Sequence, residues 1–154
     1  ACGPDFQVGV RLSPERFGMQ LGEVRDLVAE IMREGEIDYV DMSLWDVTKE
    51  PEDDAYKSRN LMGWFTDIPR HGVRLGVAGK IMGAADALSV MDAGCDFAFI
   101  GRAAMLHQDF PKRVRADSGY VSPAIPVSAD HLRDEGLGEA FIDYMRTWQY
   151  FVAD

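Results

Sequence analysis

The chain has 154 residues and a formal net charge of −10, from 16 Lys+Arg against 26 Asp+Glu. Hydrophobic residues make up 47% and charged residues 27%, a globular balance long enough to bury one core. An acidic surface excludes non-specific nucleic-acid or anionic-lipid binding, and no run approaches the roughly 18 apolar residues of a membrane span.

Residues 1–5 read as an N-terminal extension. Ala1-Cys2-Gly3-Pro4-Asp5 has neither the basic nor the apolar region of a secretory leader, so a cytoplasmic chain is expected. Phe6 to Leu12 is a short apolar run bounded by Pro4 and Ser13-Pro14, which predicts a buried strand. From Glu23 to Arg33, Val24, Leu27, Val28, Ile31 and Met32 recur at helical spacing, and Gly35 stands where the helix would end. Ile37 to Trp45 predicts a second strand. Asp46 to Lys57, acidic through Glu50–Asp54, reads as a long, solvated surface loop rather than a metal site, and no metal ligand is assigned anywhere in the chain.

Leu61, Met62, Trp64, Phe65 and Ile68 predict a helix ending near Pro69 and Gly72. Val73 to Ala78 is the third strand, Ala84 to Met91 a short helix stopped by Gly94, and Phe97 to Ile100 the fourth strand. The four strands start near residues 6, 37, 73 and 97, intervals of 31, 36 and 24 residues that suit parallel βαβ units. Their nearly unbroken apolar character predicts cover on both faces. Residues 115–130, with Pro123 and Pro126, read as loop. Residues 131–154 read as a helical tail, with Phe141, Met145, Trp148, Phe151 and Val152 on one packed stripe. Cys2 and Cys95 lack metal or disulfide spacing, and Cys95 reads as a small buried hydrophobe.

Chemistry concentrates at two strand ends. Ala78-Gly79-Lys80 and Ile100-Gly101-Arg102 share the order apolar strand, glycine, cation. Glycine admits close backbone approach, successive N–H groups can cradle phosphate oxygens, and the adjacent cation adds charge-assisted hydrogen bonds. Arg11, inside an apolar strand, needs either an ion-pair partner or a ligand face on which its charge is used.

In their order, Val8-Gly9-Val10-Arg11-Leu12-Ser13-Pro14, Asp38-Tyr39-Val40-Asp41-Met42-Ser43, Val77-Ala78-Gly79-Lys80-Ile81 and Asp96 to Ala103 resemble the old yellow enzyme family of NADH:flavin oxidoreductases. His107-Gln108-Asp109-Phe110-Pro111 also resembles the family's segment after strand eight. The resemblance implies an α/β fold, half of a (β/α)8 TIM barrel comprising strands five to eight over residues 6–114. It further implies an FMN flavoprotein that takes hydride from NAD(P)H and reduces activated alkenes such as enones. Arg11 would match the arginine beside flavin N1 and the C2 carbonyl. Ala78, Gly79 and Lys80 would match the first phosphate-binding positions, and Gly101 and Arg102 the second. The family's substrate-anchoring His/Asn pair and proton-donating Tyr belong to the other half of the barrel, so no catalytic residue is expected here, and His71, His107 and His131 match none of them. An open half-barrel implies an N-terminal half or a second copy of the chain as partner. The alternative is a non-catalytic phosphate-binding or assembly module. A self-contained flavodoxin-like sheet is a third reading, for which four strands are one too few.

Overall fold

The computed structural model describes Gly3 and residues 5–153; Cys2 and most of the expected N-terminal extension lie outside the described residues. The chain divides into two units, one of residues 1–81 and 88–99, the other of residues 82–87 and 100–154. No helix among the described residues is long and apolar enough to cross a membrane.

The first unit carries a four-stranded parallel sheet of β1 (Gly9–Leu12), β2 (Tyr39–Ser43), β3 (Arg74–Ala78) and β4 (Phe97–Phe99), in the spatial order β1-β2-β3-β4. That sequential order separates it from a doubly wound sheet, whose strand order reverses and whose helices cover both faces. The strand register sorts the sheet's side chains onto two faces. Val40 and Met42 of β2 and Leu75 and Val77 of β3 are fully buried on one side. α1 (Leu21–Glu34) contributes Leu21, Val24, Val28 and Met32 to the buried set, and Phe65 of α2 (Gly63–Thr66) joins them. The α1 residues recur three or four apart, so one stripe is buried, at about 1.5–3 kcal/mol for each large side chain. Gly35 ends α1 at φ 68°, and its N–H donates to the Ile31 carbonyl. β-Carbon strain at that left-handed position explains why glycine stops the helix.

The opposite face carries Gly9 and Arg11, then Tyr39, Asp41 and Ser43, then Gly76 and Ala78, then Phe97 and Phe99, as the strand register requires. Here the expectation of cover on both faces is corrected: Tyr39, Phe97 and Phe99 are only partly buried. Their rings cluster with centroids 5.0–6.1 Å apart, Phe97 meeting Tyr39 and Phe99 edge-to-face and Tyr39 tilted against Phe99. Gly9 and Gly76 make room for it, because a side chain at Gly9 would strike the Tyr39 ring and one at Gly76 the Phe97 and Phe99 rings.

The first strand is also shorter and more open than expected. Phe6 and Val8 are exposed, and regular pairing begins only at Gly9. Below it the Asp38 carboxylate accepts the Val8 N–H at 2.7 Å, a side-chain substitute for the ladder at a sheet edge. α2 is likewise a single turn within the expected 61–68 segment, although Leu61, Met62, Phe65 and Ile68 are all buried. The acidic residues Glu50, Glu52, Asp53 and Asp54 are exposed, as a solvated surface loop requires, and the loop is also pinned by ion pairs. Lys49 pairs with Glu15 at 2.9 Å and Glu52 at 3.1 Å, and Asp53 caps a 3-10 turn at Asp54–Tyr56. Cys95 is buried, and burial pushes its thiol up to about 11, which leaves it unreactive at neutral pH.

The second unit is helical. α4 (Arg102–Leu106), α5 (Phe110–Ala116), α6 (Ala129–Asp134) and α7 (Glu139–Arg146) accompany a short parallel pair, β5 (Val127–Ser128) with β6 (Val152–Ala153). α3 (Ala84–Asp92) runs across the division of the chain. The core is Leu106, Val127, Leu132, Ile142, Met145 and Phe151. The expected single stripe through Val152 is corrected: α7 stops at Arg146, Phe141 is exposed, and Ile142 occupies the buried position instead. Beyond the helix the chain turns through Tyr150 at φ 57°, and Val152 pairs with Val127. The 115–130 stretch expected as loop holds the end of α5, all of β5 and the start of α6.

Candidate functional site

The face of the sheet that carries Tyr39, Phe97 and Phe99 also carries Arg11, Asp41 and Ser43. Arg11 and Asp41 face each other in register, with the Arg11 Nε 3.2 Å from the Asp41 carboxylate and donating a short hydrogen bond to Ser43 Oγ. The Arg11 side chain is 67% exposed and that of Asp41 only 7%. Both readings of Arg11 therefore hold together: it has an ion-pair partner, and its charge stands on an open surface. Ala78 pairs with Ser43, which brings the first glycine-cation motif beside this group.

Asp41 is unusual in its own right. One carboxylate oxygen is buried without a hydrogen-bond partner, and burial raises the group above its ordinary value of 3.8, with the nearby Arg11 charge opposing. A carboxyl whose folded-state pKa is raised contributes stability that is present below its unfolded value and lost as pH rises through the folded one. Keeping Asp41 ionised at neutral pH thus works against the fold. Asp41→Asn should raise the melting temperature at pH 7, with the advantage gone near pH 3, as a thermal melt at the two pH values would register. A lower melting temperature at pH 7 would mean that the Arg11 pair outweighs desolvation.

At the end of β3 the strain is local. Gly79 packs against the backbone following β2, so that a β-carbon there would lie 2.7 Å from the Asp46 nitrogen and 2.8 Å from the Trp45 carbonyl carbon. The Val47 N–H donates to the Gly79 carbonyl at 3.2 Å. Lys80 and Trp45 both adopt positive φ, 47° and 66°, a conformation that L-residues hold only when their surroundings enforce it. Lys80 reaches Asp46 at 2.9 Å. Burial raises the Asp46 carboxyl, yet the Thr48 and Lys80 hydrogen bonds outweigh it and leave the group below its ordinary value. The stability Asp46 contributes is therefore present above 3.8 and lost as pH falls through the lowered value. The exposed Trp45 ring carries the Arg16 guanidinium 5.3 Å from its centroid.

Gly101 and Arg102 open the second unit. Gly101 precedes α4, and a β-carbon at Gly101 would meet open space. The two glycines thus differ: Gly79 is required by the fold's own backbone, whereas Gly101 leaves room beside the chain.

The chain is 31% identical over 113 residues to the probable NADH-dependent flavin oxidoreductase YqiG of Bacillus subtilis (strain 168). That match takes in 71% of this chain and 30% of the relative. The chain spans about 30% of the length of the curated relative it matches. No family model matches it. The similarity connects the chain to flavin oxidoreductase sequences and accords with the resemblance carried by the strand-end motifs.

The second unit holds a cluster that the sequence reading did not anticipate. His107, His131 and Glu135 come together, each partly buried. His131 and Glu135 lie four apart, a spacing that places them on one helical face and was legible. His107 comes from the end of α4, and nothing in the sequence links it to the other two.

Proposed function

We propose that the chain is the C-terminal half, strands five to eight, of an old-yellow-enzyme-type barrel that holds FMN. The observation that carries this reading is the Arg11–Asp41–Ser43 group on one face of a sequentially ordered parallel sheet. A (β/α)8 barrel has its strands in this order, with its ligand site at their carboxyl ends. The flavin oxidoreductase relative adds independent support.

The residues present fit a flavin. Arg11 offers an exposed guanidinium fixed by a buried carboxylate. Arg11 would hold its charge beside the ring edge where negative charge develops, which tunes potential without any bond changing at Arg11. By the resemblance, Ala78, Gly79 and Lys80 in the first unit would offer phosphate contacts chiefly through backbone N–H groups, and Gly101 and the Arg102 fork would do so in the second. When bound, FMN supplies hydride transfer from NAD(P)H to an activated alkene such as an enone. Asp41 acts only through Arg11, by keeping the guanidinium on the open face.

The edge strands β1 and β4 favour a partner that completes the sheet. That partner is an N-terminal half-barrel or a second copy of the chain. With FMN bound, Arg11→Ala should make the flavin potential more negative by tens of millivolts, because the reduced, anionic form loses a cation worth about 1–2 kcal/mol. Inorganic phosphate binding should be spared. An unchanged potential would remove the role assigned to Arg11.

A further inference from the structure

We propose that His107, His131 and Glu135 form a binding site for a divalent first-row transition ion, with zinc as the favoured occupant. The site belongs to the second unit and is independent of the flavin reading. One donor atom from each residue lies within 4.8 Å of the other two. A tetrahedral ion with bonds of about 2.0–2.1 Å sets its ligands about 3.4 Å apart, a distance that small side-chain rotations reach from here.

One nitrogen of each ring faces an oxygen atom. His131 Nε2 lies 2.9 Å from the Leu106 carbonyl oxygen, which can only accept, so Nε2 carries the proton and Nδ1 of the neutral ring has a lone pair. His107 Nδ1 lies 2.7 Å from Glu135 Oε1. The carboxylate is itself held by the Gln108 N–H at 3.0 Å. His131 therefore has the anchored second nitrogen common among metal-binding histidines, whereas the His107–Glu135 hydrogen bond is one that a shared ion would replace. Imidazole with one carboxylate suits zinc and its neighbours, whereas calcium and magnesium prefer oxygen alone.

The surroundings permit a cation. Arg113 Nη2 stands 4.0 Å from Glu135, but its Nε is committed to Asp109 at 2.6 Å. The His107 and His131 rings meet edge-on at 5.2 Å, and Tyr120 packs beside His107 with a buried hydroxyl that lacks a hydrogen-bond partner. With three protein ligands the fourth position would take water. The ion would join the end of α4 to the end of α6, two elements that meet in the core through Leu106 and Leu132.

The test is a Co2+ titration of the untagged 154-residue chain, read by its visible ligand-field absorption and by displacement with Zn2+. One saturable equivalent is expected. His131→Ala and Glu135→Gln should each weaken Co2+ binding at least tenfold, and His71→Ala should leave it unchanged. Far-UV circular dichroism accompanies each variant, and in the wild-type chain one equivalent of Zn2+ should raise the melting temperature. Absence of saturable binding by the wild-type chain overturns the proposal whatever the variants do. Binding that survives His131→Ala and Glu135→Gln, or that is lost with His71→Ala, also overturns it.

Discussion

Gly79→Ala should destabilise the first unit by about 2–4 kcal/mol, the range for a side chain forced against fixed backbone. The new methyl would stand 2.7 Å from the Asp46 nitrogen and 2.8 Å from the Trp45 carbonyl carbon. Neither atom can swing away, since Asp46 is anchored through Lys80 and Thr48, and Leu44 N–H donates to the Ala78 carbonyl at 2.8 Å. Gly76→Ala offers a contrast on the same strand. Its β-carbon would meet the Phe97 and Phe99 rings, partly exposed side chains that can yield. Urea denaturation should therefore place Gly79→Ala well below Gly76→Ala in midpoint. Equal midpoints would mean that the loop after β2 is free to move aside. Any loss of phosphate binding in Gly79→Ala would then be an effect on the loop geometry rather than on a direct contact.

Phe151→Ala should cost about 3–5 kcal/mol in the second unit, the usual penalty for emptying a buried aromatic site. Phe151 is 1% exposed and packs edge-on against Trp148 at 5.6 Å. It also sets the register of the final pair, because the Val127 N–H donates to the Phe151 carbonyl at 3.1 Å and Val152 follows directly. Phe141→Ala is the companion variant. A helix continuing to Val152 would bury both aromatics on one stripe and make both replacements expensive. With α7 ending at Arg146, Phe141 is 40% exposed and its replacement should shift the urea midpoint little. Comparable losses in the two variants would restore the longer helix.

Local pattern carried the inner strands and α1. Val40, Met42, Leu75 and Val77 are buried as their apolar runs imply, and the Val24, Val28 and Met32 stripe ends at Gly35 where the backbone turns left-handed. Pattern failed where burial depends on the neighbour rather than on the residue. Phe6 and Val8 look like core yet lie exposed below an edge strand, and hydrophobicity cannot distinguish an edge from the centre of a sheet. The tail failed for a related reason: Trp148, Phe151 and Val152 suit a helix or a strand, and pairing with Val127 decides between them.

At the candidate site, the residue types were legible and their relations were not. Arg11 stood out because an isolated cation in an apolar strand needs a partner. The strand register, which no sequence states, supplies that partner as Asp41 and adds Ser43. Gly79 drew attention as a ligand-approach glycine, and its immediate neighbour proves to be the chain's own backbone. The His107–His131–Glu135 cluster depended on the packing of α4 against α6, a contact between residues 24 or more apart.

The flavin reading rests on recognition of more than a phosphate. Thermal melts of the 154-residue chain with FMN, riboflavin and inorganic phosphate separate those contributions in one measurement. FMN should raise the melting temperature at concentrations where inorganic phosphate has no effect, with riboflavin between the two. An equal response to FMN and inorganic phosphate, or no response to FMN at all, would contradict a flavin site on this sheet.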